Sequence, residues 1–241
     1  MKRSSIGPPF GGHRKGDNPA RWRGHLDKLL PPRSKVRKVE HHPARPHDEL
    51  ANFVAMLRRQ EGIASRALEF PILTATRTGE VIGGRWDEID FGEKIWVVPA
   101  ARMKAGREHR VPLSAAAVAI LEQMQEVREG DFVFPGGKRG KPLSNMAMLA
   151  VLKRIDRGDL TNHGFQSSVR DWAAERTNFP REVAEMALAH TVGDKVEAAY
   201  RRGDLFQKRR QMMDGWARFC DTARPQAEVV PIGRMWLQLG L

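Results

Sequence analysis

Proline and glycine divide this chain into two unlike parts. Pro8-Pro9, Gly11-Gly12, Pro31-Pro32 and the Pro43/Pro46 pair interrupt any long helix before residue 47. The first fifty residues also hold twelve Lys+Arg against five Asp+Glu, and five of the eight histidines (His13, His25, His41, His42, His47). A short helix fits Asn18 to Leu30, with Asn18 as N-cap and Pro19 at the first helical position. Residues 1–46 therefore read as an extended basic arm suited to tracking a phosphate backbone. The plain alternative is a solvated linker left from an upstream domain.

From His47 the apolar pattern becomes regular. Leu50, Phe53, Val54, Met56 and Leu57 recur at helical spacing behind Asp48 as a possible N-cap. A second, more buried helix is expected over Ile63 to Thr76. Ile95 to Val98 and Glu108 to Leu113 read as strands, joined by a basic connection from Ala100 to Arg107. Ser114 caps a helix reaching about Val127, and Phe132-Val133-Phe134 reads as a short strand. Further helices are expected at Ser144–Ile155, Gly164–Arg176, Arg181–Ala189 and Asp194–Phe219. The expected fold is mainly α with a small antiparallel β-sheet (α+β). No internal repeat is visible.

Charge narrows the partners. The 241 residues carry 41 Lys+Arg and 29 Asp+Glu, a formal net charge of +12. That balance favours a polyanion, with nucleic acid ahead of an anionic membrane surface. Cys220 is the single cysteine, which excludes an intrachain disulfide and a Cys-rich zinc module. No apolar run approaches the roughly 18 residues of a membrane span, and the basic N-terminus lacks the apolar stretch of a signal peptide. A cytoplasmic location is the expectation.

The chain has one tyrosine, Tyr200, ten residues past His190 and directly before Arg201-Arg202. A phenol with a pKa of about 10 is a weak nucleophile at neutral pH. Cations that stabilise the phenolate, shared with a phosphate, would let it attack phosphorus. Four other positions are candidates to act with it: Arg77, Lys104, His163 and His190. Singly, each has a bland reading. Arg77 could counter a helix dipole, Lys104 could be a solvated loop lysine, and the two histidines could cap helix ends.

Taken in order, these residues resemble the active site of the tyrosine recombinases, the phage-type integrases. The resemblance rests on Arg77-Thr78-Gly79-Glu80-Val81, Arg85 to Asp90, Met103-Lys104, His109 to Ser114, His163-Gly164-Phe165, Leu188-Ala189-His190 and Ala199-Tyr200-Arg201-Arg202. It covers roughly residues 47–220. Asn18 to Arg23 is similar to the join between the core-binding helices and the catalytic domain. The resemblance implies a catalytic domain over 47–220, a basic arm over 1–46 as a remnant of the core-binding region, and a C-terminal tail over 221–241.

The resemblance also implies roles. Tyr200 attacks the scissile phosphate to give a 3′-phosphotyrosine and a free 5′-hydroxyl. The covalent link stores the phosphodiester energy, so no cofactor and no metal are expected. Arg77 clamps the nonbridging oxygens, where charge develops in the transition state. Lys104 protonates the leaving 5′-oxygen as general acid. His163 and His190 bond the phosphate or assist the tyrosine proton, and Glu80 orients the site. Arg102, Arg107, Arg21, Arg23, Lys35, Arg37 and Lys38 are the expected contacts to double-stranded DNA. The function implied is site-specific recombination, integrating or excising a mobile element.

One position departs from the family pattern. Its second arginine falls three residues after the first histidine, where this chain has Gln166. A neutral amide forms bonds about half as strong as charge-assisted ones. Loss of a charged clamp costs about 3–4 kcal/mol of transition-state stabilisation. Arg170, four residues on, shares a helix face with Gln166 but lies about 6 Å further along the axis. Cleavage is therefore expected to be slow or absent. The competing readings are a non-catalytic DNA-binding remnant or regulator, and a type IB topoisomerase-like nicking enzyme. The family also implies a monomer without DNA and a tetramer on it, with the apolar tail Gln226 to Leu241 docked on a neighbour or folded back.

Other motifs are weaker. Pro135 to Lys141 is glycine-rich and basic, but Pro142 stands where a phosphate-binding loop needs Ser or Thr. A surface turn near DNA is expected. His109, His163 and His190 lack the spacing of a zinc site. Trp172, at helical spacing from Phe165 and Val169, reads as core.

Overall fold

The computed structural model describes Lys28, residues 47–190 and residues 203–222. The chain divides into a unit of residues 1–41 and one of residues 42–241, and the second carries the fold. Its described elements are α1 (His47–Arg58), α2 (Ile63–Thr74), α3 (Thr78–Ile82), β1 (Ile89–Asp90), β2 (Ile95–Val98), β3 (His109–Pro112), α4 (Ala115–Glu126), α5 (Ala147–Arg154), α6 (Asn162–Arg176), α7 (Arg181–Ala187) and α8 (Phe206–Asp221). Single 3₁₀ turns at Trp86–Glu88 and Ala100–Arg102 flank the sheet. Helices dominate, and the sheet is a three-stranded antiparallel meander in the order β1-β2-β3.

The middle of the molecule is α2. From Ala67 to Thr74 every residue of this helix is buried, as expected of a helix that other elements cover on all sides. It packs against α1, α4, α5, α6 and α8. Phe70 is the hub, with its ring 5.5 Å from Trp96 of β2 and 5.6 Å from Phe134. The carboxylate of Glu69, only 2% exposed, lies within the same helix and is paired by Arg58 at 2.5 Å and Arg66 at 2.9 Å. A buried charge without such partners would cost several kcal/mol. Pro71 also lies inside the helix, where a missing N–H ordinarily weakens it. Packing on every side outweighs that local penalty.

The last of the described helices, α8, packs over α2. Trp216 is fully buried, and its indole N–H donates to the Ile72 carbonyl at 2.7 Å. Its ring sits 5.2 Å from Trp172 of α6, so Trp172 is core, as its spacing predicts.

Three element expectations need correction. Phe132–Phe134 is not a strand. It makes one isolated bridge, Arg85 to Phe132, with Val133 N–H donating to Gly84 O and Trp86 N–H to Asp131 O. Pro135, which has no N–H to donate, follows at once. The helix expected over Asp194–Phe219 does not run through, since Gly203–Leu205 is non-helical and Leu205 takes a left-handed conformation at φ 52. Asp204 accepts from the Phe206 N–H at 3.1 Å, a local side-chain bond that starts a new helix there. The helix expected to reach Thr76 ends at Thr74, because Ala75 turns left-handed at φ 58. The pair Ile89–Asp90, unread in the sequence, forms β1. The expected helix over Asn18–Leu30 lies outside the described residues except for Lys28.

Candidate functional site

The end of α2 sets up the site. Ala75 carries a Cβ in a conformation that glycine usually occupies, and two bonds hold the turn. Thr74 Oγ1 donates to the Phe70 carbonyl at 2.8 Å. Gln166 Nε2, reaching from α6, donates to the Ala75 carbonyl at 2.8 Å. Two residues later the chain enters α3 through Arg77.

Arg77 is fixed from three directions. Its backbone N–H donates to Glu80 Oε2 at 2.9 Å, and its Nη1 to Glu80 Oε1 at 3.0 Å. This is the return half of a capping arrangement at the start of α3. Its Nη2 donates to the Leu188 carbonyl at 3.3 Å, which ties the guanidinium to the end of α7. Glu80 is 4% exposed and Arg77 28%, so the carboxylate lies underneath and the cation faces outward.

The end of α7 places His190. Ala189 takes a left-handed conformation at φ 51. Its N–H donates to Met186 O, and the His190 N–H donates to Glu185 O at 2.9 Å. These are the two bonds of a Schellman ending, with alanine where glycine is usual. The reversal brings the imidazole back over the last helical turn, where Nδ1 lies 2.8 Å from Glu185 Oε2. Glu185 Oε1 faces Arg170 at 3.2 Å and Arg181 at 3.5 Å. Burial alone would raise the Glu185 carboxyl, but the His190 bond and the Arg170 charge hold it below the usual range.

His109 of β3 joins the same edge and hydrogen-bonds the Ala187 backbone. Burial, then repulsion from Arg209 and Arg77, lowers its pKa to about 4, so it is neutral at pH 7. Arg209 is 2% exposed and donates to the Arg110 carbonyl at 2.7 Å, the Asp204 carbonyl at 2.8 Å and Asp204 Oδ2 at 2.6 Å. This buried guanidinium fastens Asp204, just before α8, to β3.

The predicted site residues fall into distinct groups. Arg77, Glu80, Gln166, Arg170 and His190 come together around the ends of α2 and α7 and the first two-thirds of α6. Lys104 and Arg107 lie exposed on the connection from β2 to β3. Arg102, expected as a DNA contact, is turned inward. Its Nη1 donates to the Glu80 carbonyl at 2.8 Å, and its Nη2 pairs with Glu88. This inward turn needs Gly83, where an added Cβ would lie 2.8 Å from Nη1. Arg102 thus ties the Lys104 connection to the Arg77 turn.

His163 falls in the first turn of α6, whose N-cap Thr161 accepts from the Gly164 N–H; its side chain is outside the described residues. Tyr200 and the expected DNA contacts Arg21, Arg23, Lys35, Arg37 and Lys38 also lie outside them. Gln166 is 4% exposed, with its amide turned toward Ala75 and its Oε1 unpartnered among the described residues. Arg170 is directed at Glu185, 3.2 Å from its Oε1. Among the described residues no cluster of His, Cys, Asp and Glu is arranged to hold a metal, and no helix is long and apolar enough to cross a membrane. Pro135–Pro142 is a surface turn closed by a bridge between its two prolines. Sequence reasoning missed Glu185, His109 as a neighbour of Arg77, and Arg209. The one available signal was an acidic residue five positions before His190.

This fold is that of the tyrosine recombinase catalytic domains. The integrase of mycobacterium phage Brujita superimposes with a TM-score of 0.58 at 18% identity, covering 80% of this chain and 63% of that one. The Tn1549 transposon integrase, solved with circular intermediate DNA, gives 0.53 at 12% identity over 78% and 68%. In sequence, residues 46–204 match the model of the phage integrase family. Prophage integrase IntA of Escherichia coli (strain K12) is 44% identical over 149 residues, 61% of this chain and 36% of that protein. The chain belongs to the phage integrase family. It spans about half the length, or less, of the curated relatives it matches.

Proposed function

We propose that this chain acts on double-stranded DNA as a site-specific recombinase, integrating or excising a mobile element in the cytoplasm. Tyr200 forms a 3′-phosphotyrosine link, Arg77 clamps the phosphate, and His163 and His190 bond it. Lys104 gives a proton to the leaving 5′-oxygen. The observation that carries this reading is the fixing of Arg77 by Glu80 beneath and Leu188 beside it. The outward-facing guanidinium is thereby oriented on the Leu188 carbonyl, two residues before His190 in sequence. Preorganised charge of this kind is what a phosphoryl transition state requires. The net charge of +12 supports a DNA partner, and so do the family and the DNA-bound relative.

Gln166 makes the cleavage slow. Its amide bonds the Ala75 carbonyl, which supports the Arg77 turn and leaves no second charge for the phosphate. A nicked suicide duplex that traps protein on DNA tests the reading. Slow trapping lost in Tyr200→Phe, with a hundredfold or greater gain in Gln166→Arg, is the expected outcome. Rapid trapping by the native chain would overturn the impairment.

The buried Gln166 also favours a second reading, a DNA-binding regulator without strand cleavage. Tight binding with no trapping in either the native chain or Gln166→Arg would select it. Residues 1–46 serve as a basic arm on the DNA backbone, residues 47–220 as the catalytic domain, and residues 221–241 as a tail that docks on a neighbour. The free chain is a monomer and the DNA-bound form a tetramer. Removing residues 224–241 lowers the DNA-bound stoichiometry, and unchanged stoichiometry would count against tail exchange.

A further inference from the structure

The carboxylate of Glu185 is 12% exposed and faces His190, Arg170 and Arg181. The proposed chemistry assigns it no task, although it holds His190 at two points. Its backbone carbonyl takes the His190 N–H at 2.9 Å, and its Oε2 lies 2.8 Å from Nδ1. Two bonds from one residue fix both the position and the orientation of the ring. The bond to His190, with the two arginines on Oε1, holds the carboxyl below its usual range and so ionised. An ionised carboxylate can only accept a hydrogen bond, so the proton between it and the ring belongs to Nδ1.

We propose that Glu185 is a positioning residue that commits His190 to carrying its proton on Nδ1, leaving Nε2 as the nitrogen presented to DNA. Neutral histidine in water carries its proton mainly on Nε2, so the carboxylate reverses the usual preference. The second half of the inference rests on the recombinase reading. A phosphate oxygen also only accepts, so Nε2 bonds it after taking one proton from solvent, while the Nδ1 proton stays in place. The resulting imidazolium faces phosphate on one side and Glu185 on the other. The same carboxylate that sets the tautomer then offsets the charge. The orientation depends on the left-handed Ala189, which turns the ring back five residues to reach Glu185.

Nitrogen-15 spectra of the full chain with labelled histidine rings test this directly, with His190→Gln giving the assignment. Neutral His190 is expected to show a protonated Nδ1 and an unprotonated Nε2. Glu185→Leu should lower that preference by at least about tenfold, as loss of a hydrogen bond to a charged group implies. Glu185→Gln, which keeps an acceptor and the side chain's size, should give an intermediate mixture and remains informative if the leucine variant fails to fold. A protonated Nε2 in the native chain, or the same tautomer ratio in all three proteins, would overturn the proposal. Calorimetry of duplex binding in two buffers of different ionisation enthalpy reads the second half: proton uptake in the native chain, diminished in Glu185→Gln. Absence of any DNA binding would instead defeat the recombinase reading and leave the tautomer result standing.

Discussion

Two cations on this surface are held in opposite ways. Arg77 sits between a buried carboxylate and a helix-end carbonyl, with donors on both terminal guanidinium nitrogens already directed. Lys104 is exposed on the connection between β2 and β3, two residues before Gly106 with φ 62. A clamp on developing charge gains from a fixed dipole, because nothing has to reorganise at the moment of reaction. A proton donor to a leaving group has to approach an atom that is moving away. The arrangement suits each cation to its proposed task, and Arg102 links the two by anchoring the base of the Lys104 connection to the Glu80 carbonyl.

Substitutions can break that contrast. The largest effect is expected from Lys104→Ala, which should slow covalent trapping by about 10²–10⁴-fold. Where native trapping is too slow to measure, the Gln166→Arg background serves for comparison. Arg77→Ala should cost about 10²–10³-fold in the same assay, and unlike Lys104→Ala it should also lower the unfolding midpoint, since Glu80 loses its partner. Equal stability losses in the two variants would erase the distinction.

Acid should act on the fixed half alone. His109 beside Arg77 has its folded-state pKa lowered to about 4 by burial and by Arg209 and Arg77, against 6.5 in the unfolded chain. The unfolded state then binds more protons between these values, so stability rises with pH across that window. The contribution is complete above pH 6.5 and is lost as pH falls toward 4, amounting to about 3 kcal/mol. Urea unfolding from pH 7.5 to 4 should show this slope, and His109→Gln should flatten it. Glu80→Gln comes next, with about 1–3 kcal/mol lost through a weakened buried pair. The smallest effect is that of Lys104→Ala on unfolding, within about 0.5 kcal/mol as for an ordinary surface change.

The fold was legible where burial patterns are simple. The helical spacing around Leu50 and Phe53, the apolar run of β2 and the Ser114 cap, which accepts from the Ala117 N–H, each follow from local chemistry. The errors lie where distant residues decide. Phe132–Phe134 is apolar enough for a strand but makes one isolated bridge, to Arg85, with single backbone bonds to Gly84 and Leu143 beside it. Ala75 and Ala189 give no sign in sequence of their left-handed backbones, because those are imposed by Gln166 and by the helix end. Arg102 and Arg107 look alike as neighbours in a basic connection. Only the space over Gly83 shows that one of them turns inward. The order of Arg77, Lys104 and His190 was readable as a family pattern. Glu185 was not, since an acidic residue on a helix is ordinarily solvated and only the reversal at Ala189 aims His190 at it.

The bond from Trp216 to the Ile72 carbonyl joins residues 144 positions apart, and that separation has a meaning in time. A ribosome adding about 5–20 residues per second needs roughly 7–30 seconds after Ile72 before the indole that secures the end of α2 has been made. Through that interval the turn leading to Arg77 lacks its last support. A nascent chain still attached to the ribosome therefore carries an incompletely held Arg77 turn until α8 has been made.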